Sequence, residues 1–116
     1  MAAAEIDHRR FDELMSGGGF VLVNYCSPWC FYCRKISAVY DAIARQYEGR
    51  VRVVTVNTDE NAALAHREEI EIVPTLVLYR GGRAIDSIVA PESREMIEAL
   101  IKGALARRRN IFKRLR

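Results

Sequence analysis

Two stretches of the chain are almost continuously apolar and rich in β-branched residues: FVLVNY at 20–25 and VRVVTV at 51–56. Apolar runs of this length are typical of strands that are covered on both faces. Two further stretches, 75–79 and 84–89, flank Gly81-Gly82, a pair that predicts a tight hairpin turn. The pattern therefore predicts four strands, of which the last two form a hairpin.

Helical periodicity separates these strands. Short helices fit residues 11–15, which the run Ser16–Gly19 ends, and residues 61–69. A longer helix fits residues 31–47, because apolar residues recur there at helical spacing. The residues that define this longer helix are Ile36, Val39, Tyr40, Ile43 and Tyr47.

A last helix is predicted to begin after Ser93, which suits an N-cap, with Glu95 favourable in its first turn. The element order is then α-β-α-β-α-β-β-α. Alternating strands and helices followed by a hairpin predict an α/β fold, with a mixed sheet and helices on both of its faces. In such sheets, functional sites collect where the strands end and the helices begin.

All three cysteines lie in the stretch YCSPWCFYC, residues 25–33. Read together, Cys26, Cys30 and Cys33 have the spacing that holds an iron–sulfur cluster in radical S-adenosylmethionine enzymes. Read as a pair, Cys30 and Cys33 form a dithiol. The first interpretation requires a barrel of more than about 200 residues, and this chain has 116. The chain length therefore favours the dithiol, although three cysteines with an external thiol, or a cluster shared between chains, also fit the spacing.

The start of the chain, MAAAEIDHRRFDELM, has neither the basic beginning nor the apolar stretch of a signal peptide, so a cytoplasmic location is expected. In a reducing compartment, clustered cysteines are typical of catalysis or metal binding. A structural zinc site requires about four ligands. The sequence has no second CxxC, and His8 and His66 are isolated, so neither a metal nor another cofactor is predicted.

Cys30 is predicted to lie at a helix N-terminus, where free N–H groups favour a thiolate. Arg34 and Lys35 add positive charge in the first turn. Cys33 lies one helical turn further on, nearly on the same face. One thiol can then attack a substrate disulfide, and the other can resolve the mixed disulfide.

The segments around the dithiol resemble the thioredoxin family from residue 20 to about 105. The stretch VLVNYCSPWCFYCRKI resembles its strand–WCxxC–helix core. DAIARQYEGRVRVVTVNTDEN resembles its second helix, the strand that follows and an Asn-x-Asp loop, and IVPTLVLYRGGR resembles its proline loop and hairpin. The resemblance implies a thioredoxin-like fold, with a mixed sheet of four or five strands.

The resemblance also implies roles for individual residues. Cys30 would be the exposed nucleophile and Cys33 the buried resolving thiol. Pro74 would be a cis-proline beside the dithiol, Val73 would offer backbone hydrogen bonds to an extended substrate, and Trp29 would help to shape the substrate groove.

Several family positions are altered here. Many thioredoxins bury an aspartate beneath the resolving cysteine, with a lysine on the next strand, and those positions are Asn24 and Thr55. An amide cannot take a proton from Cys33, so slower reduction of substrates is expected. Asn24, together with Arg34 and Lys35, is therefore predicted to tune the thiols.

The rim of the site differs as well. Phe31, Ile72 and Ala90 stand where the family has glycine, and Tyr32 replaces its usual proline. These changes either reflect a tolerant surface or make a narrower, more apolar groove that suits a restricted partner. Cys26 stands where the family usually has tryptophan. It is either a small, half-buried apolar residue or a regulatory thiol that oxidises with its neighbours.

The last ten residues, RRRNIFKRLR, hold six of the 18 basic residues and no acid, which leaves 12 basic and 15 acidic residues in the rest of the chain. We divide the chain into a domain at 1–106 and a basic helical extension or tail at 107–116. The tail is either disordered or contacts an acidic partner, a second protomer, an anionic membrane surface or nucleic acid. As a helix, it would continue an apolar stripe formed by Ile97, Leu100, Ile101, Ala104, Leu105, Ile111, Phe112 and Leu115.

The sequence thus predicts a monomeric thiol–disulfide oxidoreductase that acts on protein disulfides and is served by a thiol reductant or reductase. The alternative is a weakly catalytic adapter that holds a partner through the groove and the basic tail.

Overall fold

The computed structural model describes the backbone of residues 3–115 and the side chains of residues 3–107. It contains five strands and four helices, which alternate except where the fourth strand is followed directly by the fifth. They are β1 Ala4–Ile6, α1 His8–Met15, β2 Phe20–Cys26, α2 Phe31–Gln46, β3 Val51–Asn57, α3 Ala62–Arg67, β4 Thr75–Arg80, β5 Arg83–Val89 and α4 Arg94–Leu115.

One sheet contains all five strands, in the order β1-β3-β2-β4-β5. Strands β1, β3 and β2 run parallel, while β4 pairs antiparallel with β2 and with β5. The predicted mixed sheet is therefore confirmed. The predicted element order is wrong in one respect, because it lacks β1. This edge strand has only three residues, AEI, and so few residues show no periodicity from which a strand is predicted.

Strand β2 is buried along its whole length, and its side chains alternate between two cores. Phe20 and Leu22 pack with α2 and α4, whereas Val21 and Val23 pack with α1 and α3. This arrangement explains the continuously apolar sequence of the strand, since neither of its faces meets water. The predicted helices on both faces of the sheet are confirmed.

The hairpin predicted at Gly81-Gly82 joins β4 to β5 through a two-residue loop. Both glycines have positive φ, 58° and 80°, which other residues rarely adopt. A Cβ atom on Gly82 would also lie 2.8 Å from the backbone oxygen of Met15. The backbone conformation and this close approach both require glycine here.

The last helix begins as predicted, because the Ser93 hydroxyl accepts a hydrogen bond from the N–H of Met96 at 3.3 Å. The described part of its predicted apolar stripe faces the core, where Ile97, Ile101 and Ala104 are buried. The helix continues to Leu115. The predicted contribution of Ile111, Phe112 and Leu115, and the predicted contacts of the basic tail, lie outside the described side chains. None of the helices in the described residues is long and apolar enough to cross a membrane.

A chain of buried hydroxyl groups joins β2 and β4 on the α1–α3 side of the sheet. The Tyr79 hydroxyl donates to the carboxylate of Glu68 at 2.7 Å, and the Tyr25 hydroxyl lies 2.7 Å from the Tyr79 oxygen. Because the Tyr79 proton is used on Glu68, Tyr25 donates and Tyr79 accepts. Both hydrogen bonds of this network therefore depend on Tyr79.

This order predicts unequal costs for removing the two hydroxyl groups. Tyr25→Phe leaves Tyr79 bonded to Glu68 and should lower the free energy of unfolding by about 1 kcal/mol. Tyr79→Phe strands the buried Tyr25 hydroxyl without an acceptor and should cost more, about 1–3 kcal/mol beyond the bond itself. Urea unfolding of the two matched variants measures the difference, and equal or reversed losses would contradict the assigned direction.

Candidate active site

The sheet topology brings three distant segments to one edge. Strand β2 ends at this edge, and β4 begins there because it runs antiparallel, so that Tyr25 pairs with Thr75. Strand β5 returns to the same place, and Val89 pairs with Thr75 as well. The start of α2, the segment before β4 and the residue after β5 therefore lie together. These segments contain the predicted dithiol, Val73-Pro74 and Ala90.

Cys30 is the N-cap residue of α2. Its sulfur accepts a hydrogen bond from the N–H of Cys33 at 3.2 Å, as a serine or aspartate side chain does in a common N-cap. Its thiol also lies 3.8 Å from the carbonyl oxygen of Val73, to which it donates. Cys30 is partly exposed. It therefore joins the helix start to the segment before β4 and remains open to solvent.

Cys33 lies in the first turn of α2 and is only 6% exposed. Burial is the main factor that raises the pKa of its thiol, and hydrogen bonds from the Cys33 thiol to Cys26 and Cys30 raise it further. A raised pKa means that Cys33 holds its proton at neutral pH. Any reaction in which Cys33 attacks another sulfur must first remove that proton.

Asn24 and Cys26 lie two residues apart on β2, so their side chains point to the same face of the sheet. The Cys26 thiol donates to Asn24 Oδ1 at 3.1 Å, and both side chains are buried. Burial raises the pKa of the Cys26 thiol, while hydrogen bonds with Cys33 and Asn24 oppose that effect. Asn24 therefore contacts Cys26 directly and reaches Cys33 through it.

Thr55 is the direct neighbour of Asn24 on β3. The two positions where many thioredoxins carry an acid and a lysine are thus side by side, as the resemblance implies. Here they hold an amide and a hydroxyl, and neither is an ion at neutral pH. The sheet beneath the dithiol therefore buries no charge at this pair.

A cavity of about 420 Å³ lies under the dithiol and opens toward the N-terminal strand. Cys26, Cys33, Asn24 and Thr55 line it, together with the ring of Tyr40. Arg34 borders the same cavity, and both Arg34 and Lys35 are exposed on α2. Solvent therefore has a route toward the buried thiols from below as well as past Cys30.

The rim above the dithiol carries large exposed apolar side chains. Trp29 is 84% exposed, Phe31 is 72% exposed and Ile72 is 58% exposed. Tyr32 is less exposed than these three residues. It is half-buried against the α2–α4 core, and its hydroxyl donates to the carbonyl of Pro91 at 2.8 Å. Of the altered rim positions, Phe31 and Ile72 expose large apolar side chains.

The segment before β4 forms one side of the site. The Val73–Pro74 peptide bond is cis. The Pro74 carbonyl accepts a hydrogen bond from the N–H of Ala90 at 2.8 Å, which holds the end of β5 against this segment. Val73 is partly buried, and Pro74 is buried. Trp29, Val73 and Ala90 thus lie around Cys30 from three different parts of the chain.

The sequence predicted that Cys26 could oxidise with its neighbours, but it did not single out Cys33 as the cysteine that lines the same cavity. The periodicity of β2 contained a signal for this arrangement, because Leu22, Asn24 and Cys26 share one face and Leu22 packs against α2. Among the described residues, no group of three or more histidine, cysteine, aspartate or glutamate side chains is arranged to hold a metal ion.

Ala90 has a positive φ of 47°, which explains why glycine is usual at this position. Because a Cβ atom makes this conformation unfavourable, Ala90→Gly should raise the free energy of unfolding by about 1 kcal/mol. Ala84→Gly is the matched control, since Ala84 lies within β5 and glycine weakens a strand interior. Urea unfolding of both variants checks this prediction, and a loss of stability at both positions would contradict it.

Comparison with known proteins agrees with this geometry. The thioredoxin family model matches residues 2–103. Thioredoxin 1 of Nostoc sp. is 43% identical over 89 residues, which cover 76% of this chain and 83% of the relative. Thioredoxin 1 of Synechococcus elongatus is 40% identical over 89 residues (77% of this chain and 83% of the relative), and thioredoxin of Porphyra purpurea is 32% identical over 102 residues (87% and 95%). The chain belongs to the thioredoxin family and is a thiol–disulfide oxidoreductase.

Proposed function

We propose that the chain reduces protein disulfides through Cys30 as nucleophile and Cys33 as resolving thiol. One observation carries the assignment of roles. Cys30 is partly exposed at the N-cap of α2, whereas Cys33 is buried one turn further along and donates its N–H to the Cys30 sulfur. A bulky protein disulfide can reach the first sulfur and not the second.

The reaction proceeds in two exchanges. The Cys30 thiolate attacks one sulfur of a substrate disulfide, and the other substrate sulfur leaves as a thiolate and takes a proton. Cys33 then loses its proton and attacks the Cys30 sulfur, which breaks the mixed disulfide and releases the second substrate thiol. The substrate has gained two electrons and two protons, and the Cys30–Cys33 pair has become a disulfide. A thiol reductant or a reductase returns the pair to the dithiol.

The rim favours substrates that are extended and apolar next to their disulfide. Trp29, Phe31 and Ile72 expose aromatic and aliphatic side chains in the segments that flank the attacking sulfur. The Val73 carbonyl lies within reach of the Cys30 thiol, so the backbone of a bound strand would run beside it. Because glycine is usual at positions 31 and 72, this chain presents more apolar area than its relatives are expected to. We infer a restricted set of partners.

Substitution of the two cysteines tests these roles. Cys30→Ser should reduce the rate of insulin reduction by at least about 10³-fold, since the attacking group is lost and the other two thiols are buried. Cys33→Ser should still attack and should accumulate the mixed disulfide with insulin, because the resolving thiol is missing. Non-reducing electrophoresis measures the trapped adduct. Trapping by Cys30→Ser instead would reverse the assignment.

The adapter alternative predicts a different result. The exposed apolar rim alone is enough for partner binding, and that binding does not require the dithiol. An adapter would show background rates of insulin reduction in the wild type, and Cys30→Ser would then change nothing. Wild-type turnover that Cys30→Ser abolishes excludes the adapter as the sole function.

Because the Asn24 side chain beneath the dithiol cannot accept a proton, the attack of Cys33 on the mixed disulfide should be the slow step near neutral pH. Because the pKa of Cys33 is raised, the rate of resolution should increase as the pH rises through neutrality into the alkaline range. Asn24→Asp supplies a carboxylate that can accept the proton through Cys26 or through the cavity. It should accelerate resolution at pH 7 by about tenfold, less than a general base in direct contact supplies, and should shift the pH profile toward lower pH.

Stopped-flow reduction of a model disulfide measures this change. The control is the rate of mixed-disulfide formation by Cys33→Ser with and without Asn24→Asp, which should be the same because only resolution involves Cys33. If the buried carboxylate prevents folding, Asn24→Asp with Thr55→Lys restores an ion pair at neighbouring positions of β2 and β3. An unchanged rate of resolution in the folded variant would contradict the role given to position 24.

A further inference from the structure

One nucleophilic side chain near the dithiol has no part in the two exchanges. Cys26 is buried at the end of β2, and its sulfur lines the cavity beneath the dithiol. Its hydrogen bond to Asn24 holds it in a defined position, at a Sγ–Oδ1 distance of 3.1 Å. The thiol is therefore ordered, and the cavity gives it a path to solvent.

Cys33 lies beside both of the other cysteines. Its N–H donates a hydrogen bond to the Cys30 sulfur at 3.2 Å. Its side chain is buried and lines the same cavity as that of Cys26. Two buried thiols that face one cavity form a disulfide when side-chain rotation brings their sulfurs to bonding distance.

Cys30 does not share that cavity with Cys26. Its side chain is not part of the cavity lining, and its thiol donates instead to the Val73 carbonyl oxygen at 3.8 Å. The three cysteines therefore form a row with Cys33 in the middle. In thiol–disulfide exchange, the attacking sulfur, the attacked sulfur and the leaving sulfur lie in this order.

We propose that Cys26 and Cys33 form a second disulfide couple, which exchanges with the Cys30–Cys33 disulfide inside one molecule. The exchange rests on the proposed Cys30–Cys33 couple. The Cys26 sulfur, after losing its proton, attacks Cys33. A Cys26–Cys33 bond forms, the Cys30–Cys33 bond breaks, and Cys30 leaves as a thiolate.

The step balances without an external oxidant or reductant. The molecule holds one disulfide bond before and after the exchange, so its oxidation state does not change. Cys26 releases one proton to solvent, and the Cys30 thiolate takes up one proton from solvent. The disulfide moves from the partly exposed helix N-cap to the buried end of β2. Cys30 is then a free thiol at the rim, and Cys33, its resolving thiol, is bonded to Cys26.

This state differs in function from the ordinary oxidised form. Its free Cys30 can still attack a substrate disulfide or a small-molecule disulfide to form a mixed disulfide, but Cys33 cannot resolve that adduct until Cys26 releases it. The second couple thus stores the oxidised state of the protein while the attacking thiol stays available.

Cys30→Ser isolates the proposed couple. Serine is itself a favoured N-cap residue, so this substitution should preserve the start of α2. The variant is equilibrated with mixtures of glutathione and glutathione disulfide, quenched with acid, alkylated with N-ethylmaleimide, and weighed intact. We expect both remaining thiols to be lost together without added glutathione mass, as an intramolecular disulfide requires.

The matched control is the double variant Cys26→Ser with Cys30→Ser, which retains only Cys33. It should stay free or carry one glutathione. If Cys30→Ser behaves as this control does, with glutathione on Cys33 and Cys26 alkylated, the proposal is overturned. Disulfide-linked dimers of Cys30→Ser would also overturn it, since the bond would then lie between chains.

The wild type tests the exchange itself. Protein oxidised to one disulfide is alkylated and cleaved with chymotrypsin, which separates the cysteines because Tyr25, Trp29 and Phe31 lie between or beside them. If Cys30 carries N-ethylmaleimide in a fraction of the molecules, the disulfide in that fraction joins Cys26 to Cys33. Label confined to Cys26 overturns the exchange. Neither readout uses insulin reduction, so a failure here is distinct from a failure of the proposed function.

Discussion

Strand β2 pairs in parallel with β3 on one side and antiparallel with β4 on the other, and the position of every group in the site follows from that change of direction. The end of β2 leads into α2, so the dithiol lies at the sheet edge. The antiparallel partner begins at the same edge, so the Val73–Pro74 segment lies beside the dithiol. Strand β5 then returns Ala90 to the same place. The three segments lie together only because β2 pairs with both neighbouring strands in these directions.

The two dithiol cysteines differ because the start of a helix places successive turns in different surroundings. Cys30 precedes the first turn and keeps contact with water, while Cys33 faces the sheet and is buried. Burial keeps the proton on Cys33, which makes proton removal a separate requirement of the reaction. Most of the chemistry that distinguishes this chain concerns what lies under Cys33. That environment consists of a neutral amide, a third thiol and a cavity.

In the proposed mechanism, the departures at the rim and beneath the site act on different steps. Phe31 and Ile72 are exposed, and they would affect which substrates approach Cys30. Asn24 and Cys26 line the cavity beneath the dithiol together with Cys33, and they would affect how Cys33 responds after the first exchange. Specificity and resolution would then be separable, and a substitution at one level should leave the other nearly unchanged.

Much of the fold was predictable because local chemistry and tertiary contacts agree. The apolar run of β2, the Gly81-Gly82 turn and the N-cap at Ser93 each carry a local signal strong enough to identify the element. Strand β1 was missed because a three-residue edge strand is formed by its partner, β3, and not by its own pattern. The hydrogen bond from Tyr32 to Pro91 was not predicted, because the sequence of a helix start does not show which distant segment packs against it.

The sequence by itself determined the dithiol, its place at a helix start, and the absence of an acid and a lysine at positions 24 and 55. These follow from residue identity and from periodicities of two and about four residues, which are local properties of the chain. Only the tertiary structure decided that Cys26 and Cys33 line one cavity, and that Ala90 takes a positive φ while its N–H bonds to Pro74. Such contacts depend on how distant segments pack, and no short stretch of sequence records that.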